Sequence, residues 1–284
     1  MSTTISSDWP ETGIELEETR VDFSQYQAIV FRRDGRVLHA TLNRPETLNA
    51  IDAGLEAELG TLFDDVARDE QTNVLVLSGA GRAFSAGGDL EHMQKVIDEP
   101  DLFLKGMAAG KRLIFSMLDC PKPILAKVNG PAIGLGATIA LFCDIIIAAN
   151  TAKIADPHVK VGFVAGDGGA AIWPQLIGYA RAKEYLLTGD ALTGEEAARI
   201  GLINRAVPAD ELDRTVDEFA QRLAAGAGRA IQGTKLAVNI GLKQVVQSVL
   251  DASLAYEALS NLSKDHQEAV NAFREKRPPR FTGE

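Results

Sequence analysis

His158, in Asp156-Pro157-His158, carries the side chain best suited to exchange protons near neutral pH. Nine residues on, Asp167 stands in the turn Ala165-Gly166-Asp167-Gly168-Gly169, ahead of an expected helix bearing Trp173-Pro174. A carboxylate beside an imidazole orients it and stabilises its charged form. If the fold brings the two together, they form a proton-handling pair. Two glycine-rich loops could serve the same chemistry. Gly81 to Leu90, with Gly87-Gly88 inside it, follows an apolar strand, and Asn129 to Ala137 follows another and opens a helix. Glycines free a backbone to approach a ligand, and a helix start presents unpaired N–H groups at its positive dipole end. One such loop reads equally well as a plain turn. Two after neighbouring strands can offer two N–H groups to a carbonyl oxygen that gains negative charge. The other histidines, His39, His92 and His266, read as structural or solvated. No metal or nucleotide cofactor is expected, since no histidine, cysteine or carboxylate cluster has metal-ligand spacing and no loop fits a dinucleotide or P-loop pattern.

The elements that must position these groups follow from periodicity. Ala28–Phe31 and Val37–Leu42 read as β-runs joined by a tight turn at Asp34-Gly35. Leu55, Leu59, Leu62, Phe63 and Val66 recur at helical spacing behind Asp52, a good N-cap. Val74–Leu77 is a continuous apolar run of the kind buried on both faces of a parallel sheet. A helix ending near Leu118, the runs Ile124–Val128 and Asp144–Ala149, and a short helix after Gly136 continue the alternation, which makes an α/β arrangement with parallel crossovers. Thr193-Gly194-Glu195-Glu196 matches a capping box, Leu202–Val207 reads as one more strand, and after about Asp210 only helical patterns remain.

The 284 residues are 46% hydrophobic and 24% charged, enough to bury a sizeable core. A net charge of −10 with scattered cations argues against a nucleic-acid groove or an anionic membrane surface as partner. Cys120 and Cys143 sit in apolar stretches and read as small buried hydrophobes rather than a disulfide framework. No apolar run reaches the roughly 18 residues that cross a bilayer, and the N-terminus lacks the pattern of a secretion signal, so a cytoplasmic location is expected. Residues 1–22 are polar and acidic and read as a flexible lead-in.

Several motifs in order resemble the crotonase superfamily, the enoyl-CoA hydratase/isomerase family. They are Asn43-Arg44-Pro45 through Leu48-Asn49-Ala50, the loop Ala83 to Leu90, Lys122-Pro123-Ile124 through Asn129-Gly130, Cys143-Asp144 through Ala149, and Leu187-Thr188-Gly189-Asp190 with Ala197 to Val207. The resemblance covers about Ala28 to Arg280. It implies a crotonase-like spiral of ββα units over residues 23–209, holding the active site, and a C-terminal helical trimerisation region over 210–284, with a homotrimer or a hexamer as the assembly. It implies an acyl-CoA thioester as substrate, coenzyme A being part of that substrate and not a separate cofactor. The oxyanion hole would use the N–H groups of Gly88 and Leu135. Ser85, Ala86, Gly87, Asp89, Leu90, Gly134, Thr138 and Trp173 would lie along the bound substrate, and Phe273 and Lys276 would reach coenzyme A from a neighbouring subunit.

Two positions depart from the family pattern. Thr138 and His158 stand where standard hydratases carry their two glutamates. Threonine has no accessible pKa, so a two-glutamate addition of water does not transfer to this chain. His158, Asp167 and Trp173-Pro174 are similar instead to a minor branch, the β-diketone hydrolases such as 6-oxocamphor hydrolase, which cleave a carbon–carbon bond by a retro-Claisen reaction. Glu257 falls roughly where that branch has an acidic partner, although a glutamate on a C-terminal helix is usually solvated. That branch has a histidine at the position of Gly136, and the camphor enzyme lacks the Ser-Ala-Gly-Gly-Asp type of loop that is intact here. An acyl-CoA enzyme working through a thioester enolate is therefore the expected function. A carbon–carbon bond hydrolase and a non-catalytic acyl-CoA binder are the alternatives. The acyl pocket should be shaped by the stretch from about Glu91 to Lys111.

Overall fold

The opening β-runs pair as their alternating apolar residues demand. In the computed structural model, which describes residues 19–284, β1 (Ile29–Asp34) runs antiparallel to β2 (Val37–Leu42), with Asp34 opposite Val37. The turn is thus Gly35-Arg36, and Gly35 alone supplies the positive φ, +56°, that was expected of an Asp-Gly pair. The expected lead-in lies mostly outside the described residues. Its last part is tied down: the Thr19 N–H donates to Glu70 Oε2 at 2.8 Å and the Glu70 N–H to the Thr19 carbonyl at 3.0 Å.

Helix α1 (Ala53–Arg68) starts where the Asp52 carboxylate accepts the Leu55 N–H at 2.9 Å, and it buries Leu55, Leu59, Leu62, Phe63 and Val66. Strand β3 (Val74–Gly79) is buried along its whole length, as its unbroken apolar run requires. Two helices follow, α2 (Leu90–Asp98) and α3 (Pro100–Asp119), the second opened by Pro100 at a position where a missing N–H costs nothing. The chain continues through β4 (Ile124–Val128), β5 (Ala132–Ile133), α4 (Leu135–Leu141), β6 (Ile145–Ala149) and β7 (Lys153–Ala155). Then come α5 (Gly169–Ile177), α6 (Tyr179–Thr188), β8 (Leu192–Thr193), α7 (Gly194–Ile200) and β9 (Arg205–Val207). Thr193 and Glu196 close the expected capping box on α7.

The main sheet has the order β1-β2-β3-β4-β6-β9, parallel from β2 onward. A small sheet, β5-β7-β8, stands beside it. This is the α/β spiral expected from the alternation. The expected strand Leu202–Val207 is shorter, because Asn204 turns its side chain back to accept the Ile146 N–H at 2.7 Å. Asp144 likewise stays outside β6; its carboxylate accepts the Ile124 N–H at 2.7 Å and pairs with Lys235 at 2.8 Å.

Past residue 210 the structure is helical: α8 (Leu212–Ala224), α9 (Gly228–Asn261) and α10 (Lys264–Arg274). One face of α9 buries Val246, Leu250 and Leu254 against the core, while Val238, Ile240, Tyr256 and Leu259 stay exposed. Among the described residues no helix is long and apolar enough to cross a membrane.

Candidate active site

The two glycine-rich loops lie against each other at the strand ends. The Ser85 N–H donates to the Pro131 carbonyl and the Ile133 N–H to the Ser85 carbonyl, each at 3.0 Å. Only small residues allow this approach. Gly87 has φ +87°, and a β-carbon there would sit 2.5 Å from the Ile133 carbonyl oxygen; one on Gly136 would sit 2.7 Å from Ser85 Cβ. The fully buried Ser85 shapes the loop, its hydroxyl donating to the Asn49 carbonyl at 2.8 Å and accepting the Gly87 N–H at 3.2 Å. Ala86 donates its N–H to the Leu48 carbonyl at 2.9 Å, and the Asp89 carboxylate caps α2 by accepting the Glu91 and His92 N–H groups at 3.0 Å each. Leu90 is the first residue of that helix. Gly88 and Leu135 then face one cavity of about 160 Å³, and neither N–H finds a protein acceptor among the described residues. Leu135 is the first residue of α4, where helical geometry leaves the N–H free.

His158 and Asp167 line the same cavity, so the fold brings together the pair that the sequence suggested. His158 begins a short 3-10 turn, His158–Val161, and its Nδ1 is hydrogen-bonded to Asp156 Oδ1. Its Nε2 faces Asp167 Oδ2 at 3.5 Å. Gly134 beside the ring has φ +54°, a conformation that favours glycine, and a β-carbon there would only reach ordinary contact with His158 Cε1, at 3.5 Å. Asp167 Oδ1 accepts the Thr138 hydroxyl at 3.0 Å and the Gly169 N–H at 3.4 Å.

Several expected substrate contacts are placed elsewhere. Thr138 is fully buried and its hydroxyl is directed at Asp167, so it positions a carboxylate. Trp173 is a core residue, packed with Tyr185 at 6.1 Å between ring centroids. Phe273 and Lys276 are exposed at the end of α10 and do not line this chain's cavity.

Other residues complete the site. Asp156 stands two residues before His158, and the bend at Pro157 (φ −90°) brings its carboxylate back to the imidazole. Glu257, which the sequence left open between an acidic partner and a solvated helix residue, is 4% exposed and lines the cavity from α9. His92, Glu56 and His266 line it too. The cavity is walled by Met93 and Val96 of α2 and by Leu102, Phe103 and Met107 of α3, all within the stretch expected to shape it, and by Leu113 just beyond that stretch.

Burial by itself pulls the His158 imidazolium down, but Asp156 and Asp167 more than offset this, and its pKa is pushed up to about 10. Burial raises Asp167, against the opposing pull of His158 and with Asp156 adding to the rise. Burial, then the Asp167 charge, raises Glu257 well above the usual carboxylate range, and burial raises Glu56. At neutral pH the site therefore holds an imidazolium bonded to Asp156, facing carboxyl groups that are ready to bind protons. Ligand atoms of Asp156, His158 and Asp167 lie within 4.8 Å of one another, a cluster invisible in sequence spacing. In this set Nδ1 is hydrogen-bonded to Asp156 and Nε2 faces the Asp167 carboxylate.

Residues 32–284 match the family model described as enoyl-CoA hydratase/isomerase. The 1,2-epoxyphenylacetyl-CoA isomerase of Escherichia coli is 36% identical over 249 residues, covering 87% of this chain and 95% of that protein. The short-chain-enoyl-CoA hydratase of Clostridium acetobutylicum is 33% identical over 256 residues, covering 88% and 95%. Among solved structures, an enoyl-CoA hydratase/isomerase from Mycobacterium paratuberculosis superposes with a TM-score of 0.83 at 36% identity, covering 86% of this chain and 97% of its own.

Proposed function

The chain belongs to the enoyl-CoA hydratase/isomerase family, and from that premise we propose that it is an acyl-CoA enzyme that turns its thioester over through an enolate. One observation carries the reading: two backbone N–H groups without protein acceptors, Gly88 and Leu135, share a cavity with an imidazole–carboxylate couple and a facing carboxylate. In the proposed step, Asp167 as carboxylate takes a proton from the α-carbon. The electron pair moves to the thioester oxygen, which the two N–H groups hold. The His158 imidazolium then supplies a proton to complete the rearrangement. Asp156 keeps that imidazole charged and oriented, and Thr138 holds Asp167 in place. Isomerisation takes this step as written, whereas hydration reaches the same enolate by addition of water to the β-carbon and then returns a proton to the α-carbon; what the reactions share is the enolate held by the two N–H groups. The two glutamates of standard hydratases are replaced by residues that divide the work differently.

Coenzyme A and short thioesters are expected to raise the melting temperature by mass action. Turnover is expected on at least one member of a panel of saturated, 2-enoyl and 3-enoyl thioesters. No thermal shift at millimolar coenzyme A, together with no turnover on the panel, would remove the proposal. Glu257 keeps a second reading in view: a buried, proton-binding carboxyl opposite the His158 couple also suits retro-Claisen cleavage of a β-diketone, free or as its CoA ester. Steady-state rates on a 1,3-diketone and on crotonyl-CoA separate the two.

A homotrimer, or two trimers stacked as a hexamer, is the proposed assembly. Exposed Val238, Ile240, Tyr256 and Leu259 give α9 apolar surface to cover, and exposed Phe273 and Lys276 remain available to a neighbour's coenzyme A. Light scattering at micromolar concentration should return the trimer or hexamer mass; a monomer would overturn this assignment.

A further inference from the structure

The imidazole of His266, at the start of α10, has no exposure to solvent at all, yet its residue lines the same cavity as His158. Its Nδ1 lies 2.6 Å from the Val161 carbonyl oxygen. A carbonyl only accepts, so Nδ1 carries the hydrogen and Nε2 is left with a lone pair. That Nε2 is buried and has no hydrogen-bond partner among the described residues. Burial, the largest influence, lowers the imidazole pKa, and the nearby His158 charge acts in the same direction. The ring therefore stays neutral and Nε2 stays an acceptor.

Its placement is fixed. The Ser263 hydroxyl accepts the His266 N–H at 3.1 Å, and the ring stacks on Phe163, with centroids 4.5 Å apart and planes 14° from parallel. Phe163 in turn lies 5.9 Å from the His158 ring. His266 is thus one aromatic ring removed from His158 on the wall of the same cavity. A buried acceptor left without a partner carries the penalty of its lost hydration, so an apolar occupant would leave that penalty standing and a hydrogen-bond donor would relieve it.

We propose that the acyl pocket contains a subsite for a hydroxyl group, which donates to His266 Nε2, so that the preferred substrate is a short hydroxylated acyl thioester. The donor is neutral, because burying an ammonium beside an imidazolium would cost more than one hydrogen bond returns. The cavity of about 160 Å³ keeps the acyl group compact. The inference rests on the acyl-CoA reading and specifies the substrate class for that same site.

The test uses matched pairs of CoA thioesters, identical in chain length and differing only by a hydroxyl at the γ-, δ- or ε-carbon, with kcat/KM and calorimetric affinity measured on the full-length protein. At one of these positions the hydroxylated member should be preferred by about 10- to 10²-fold. In His266→Asn, whose amide N–H can still serve the Val161 carbonyl, that ratio should fall to near one. His266→Phe should abolish it as well. This second variant leaves the Val161 carbonyl unpaired and can fail to fold, so the wild-type ratios and His266→Asn carry the decision. Equal use of both members at every position by the wild type, or a preference that survives in a folded His266→Asn, overturns the subsite and leaves the acyl-CoA reading intact. Failure of every thioester to bind overturns both.

Discussion

His158→Ala and Asp167→Asn are each expected to reduce turnover on the best thioester by about 10²-fold or more, the size of a lost general acid–base group. The two side chains face each other at 3.5 Å in one buried cavity, and each alters the other's affinity for protons. Groups that act as a unit are non-additive, so the double variant should lose little more than either single one. KM should change less than kcat, because neither side chain is needed to hold coenzyme A. Thr138→Ala removes the 3.0 Å hydrogen bond to Asp167 and one buried methyl group but no proton-exchanging group, and a milder loss of turnover is expected. Full wild-type turnover in a folded His158→Ala would show that the proton moves by another route.

Local chemistry made much of this architecture legible in the sequence. Asp52 and Thr193 cap the helices expected of them, and the apolar run of β3 lies where continuous burial was inferred. The two glycine-rich loops were recognisable because their close backbone approach needs small residues, which stand near one another in sequence. What escaped was long-range. Thr138 reaches Asp167 across 29 positions, and the His266–Val161 bond spans 105, so neither leaves a spacing signal. Glu257 could be read as a solvated helix residue. Gly166 explains its burial: a β-carbon there would stand 2.6 Å from Glu257 Cβ, so the missing side chain lets α9 close over the turn that carries Asp167. Trp173-Pro174 went the other way, a motif that suggested a substrate wall and proved to be core packing. Asp156 was in plain view beside His158. Its role depended on a bend at Pro157 that residue types alone do not specify.

Asp156→Asn is expected to lower turnover by about 10²-fold near pH 8 and by progressively less as the pH falls towards 6. The Asp156 charge is the first of the interactions that raise His158 against its burial, so an amide there lets the imidazolium deprotonate at lower pH. An asparagine that turns its NH₂ towards Nδ1 would also make that nitrogen an acceptor and fix the neutral ring. Either effect removes the proton that the proposed step requires, and acid restores it. Stability should follow the same sign. His158 has a folded pKa of about 10, above its unfolded value of about 6.5, so its stabilising contribution is complete below the latter and disappears as the pH rises through the former. The raised carboxyls of Asp167 and Glu257 add to this direction, since the native state again binds protons that the unfolded chain releases. Urea midpoints of the wild type should therefore decline between about pH 6.5 and 10, and in Asp156→Asn the part of that decline due to His158 should finish at lower pH. Parallel pH–rate profiles for the two proteins, with an unchanged alkaline limb, would mean that Asp156 holds the ring in place without controlling its charge.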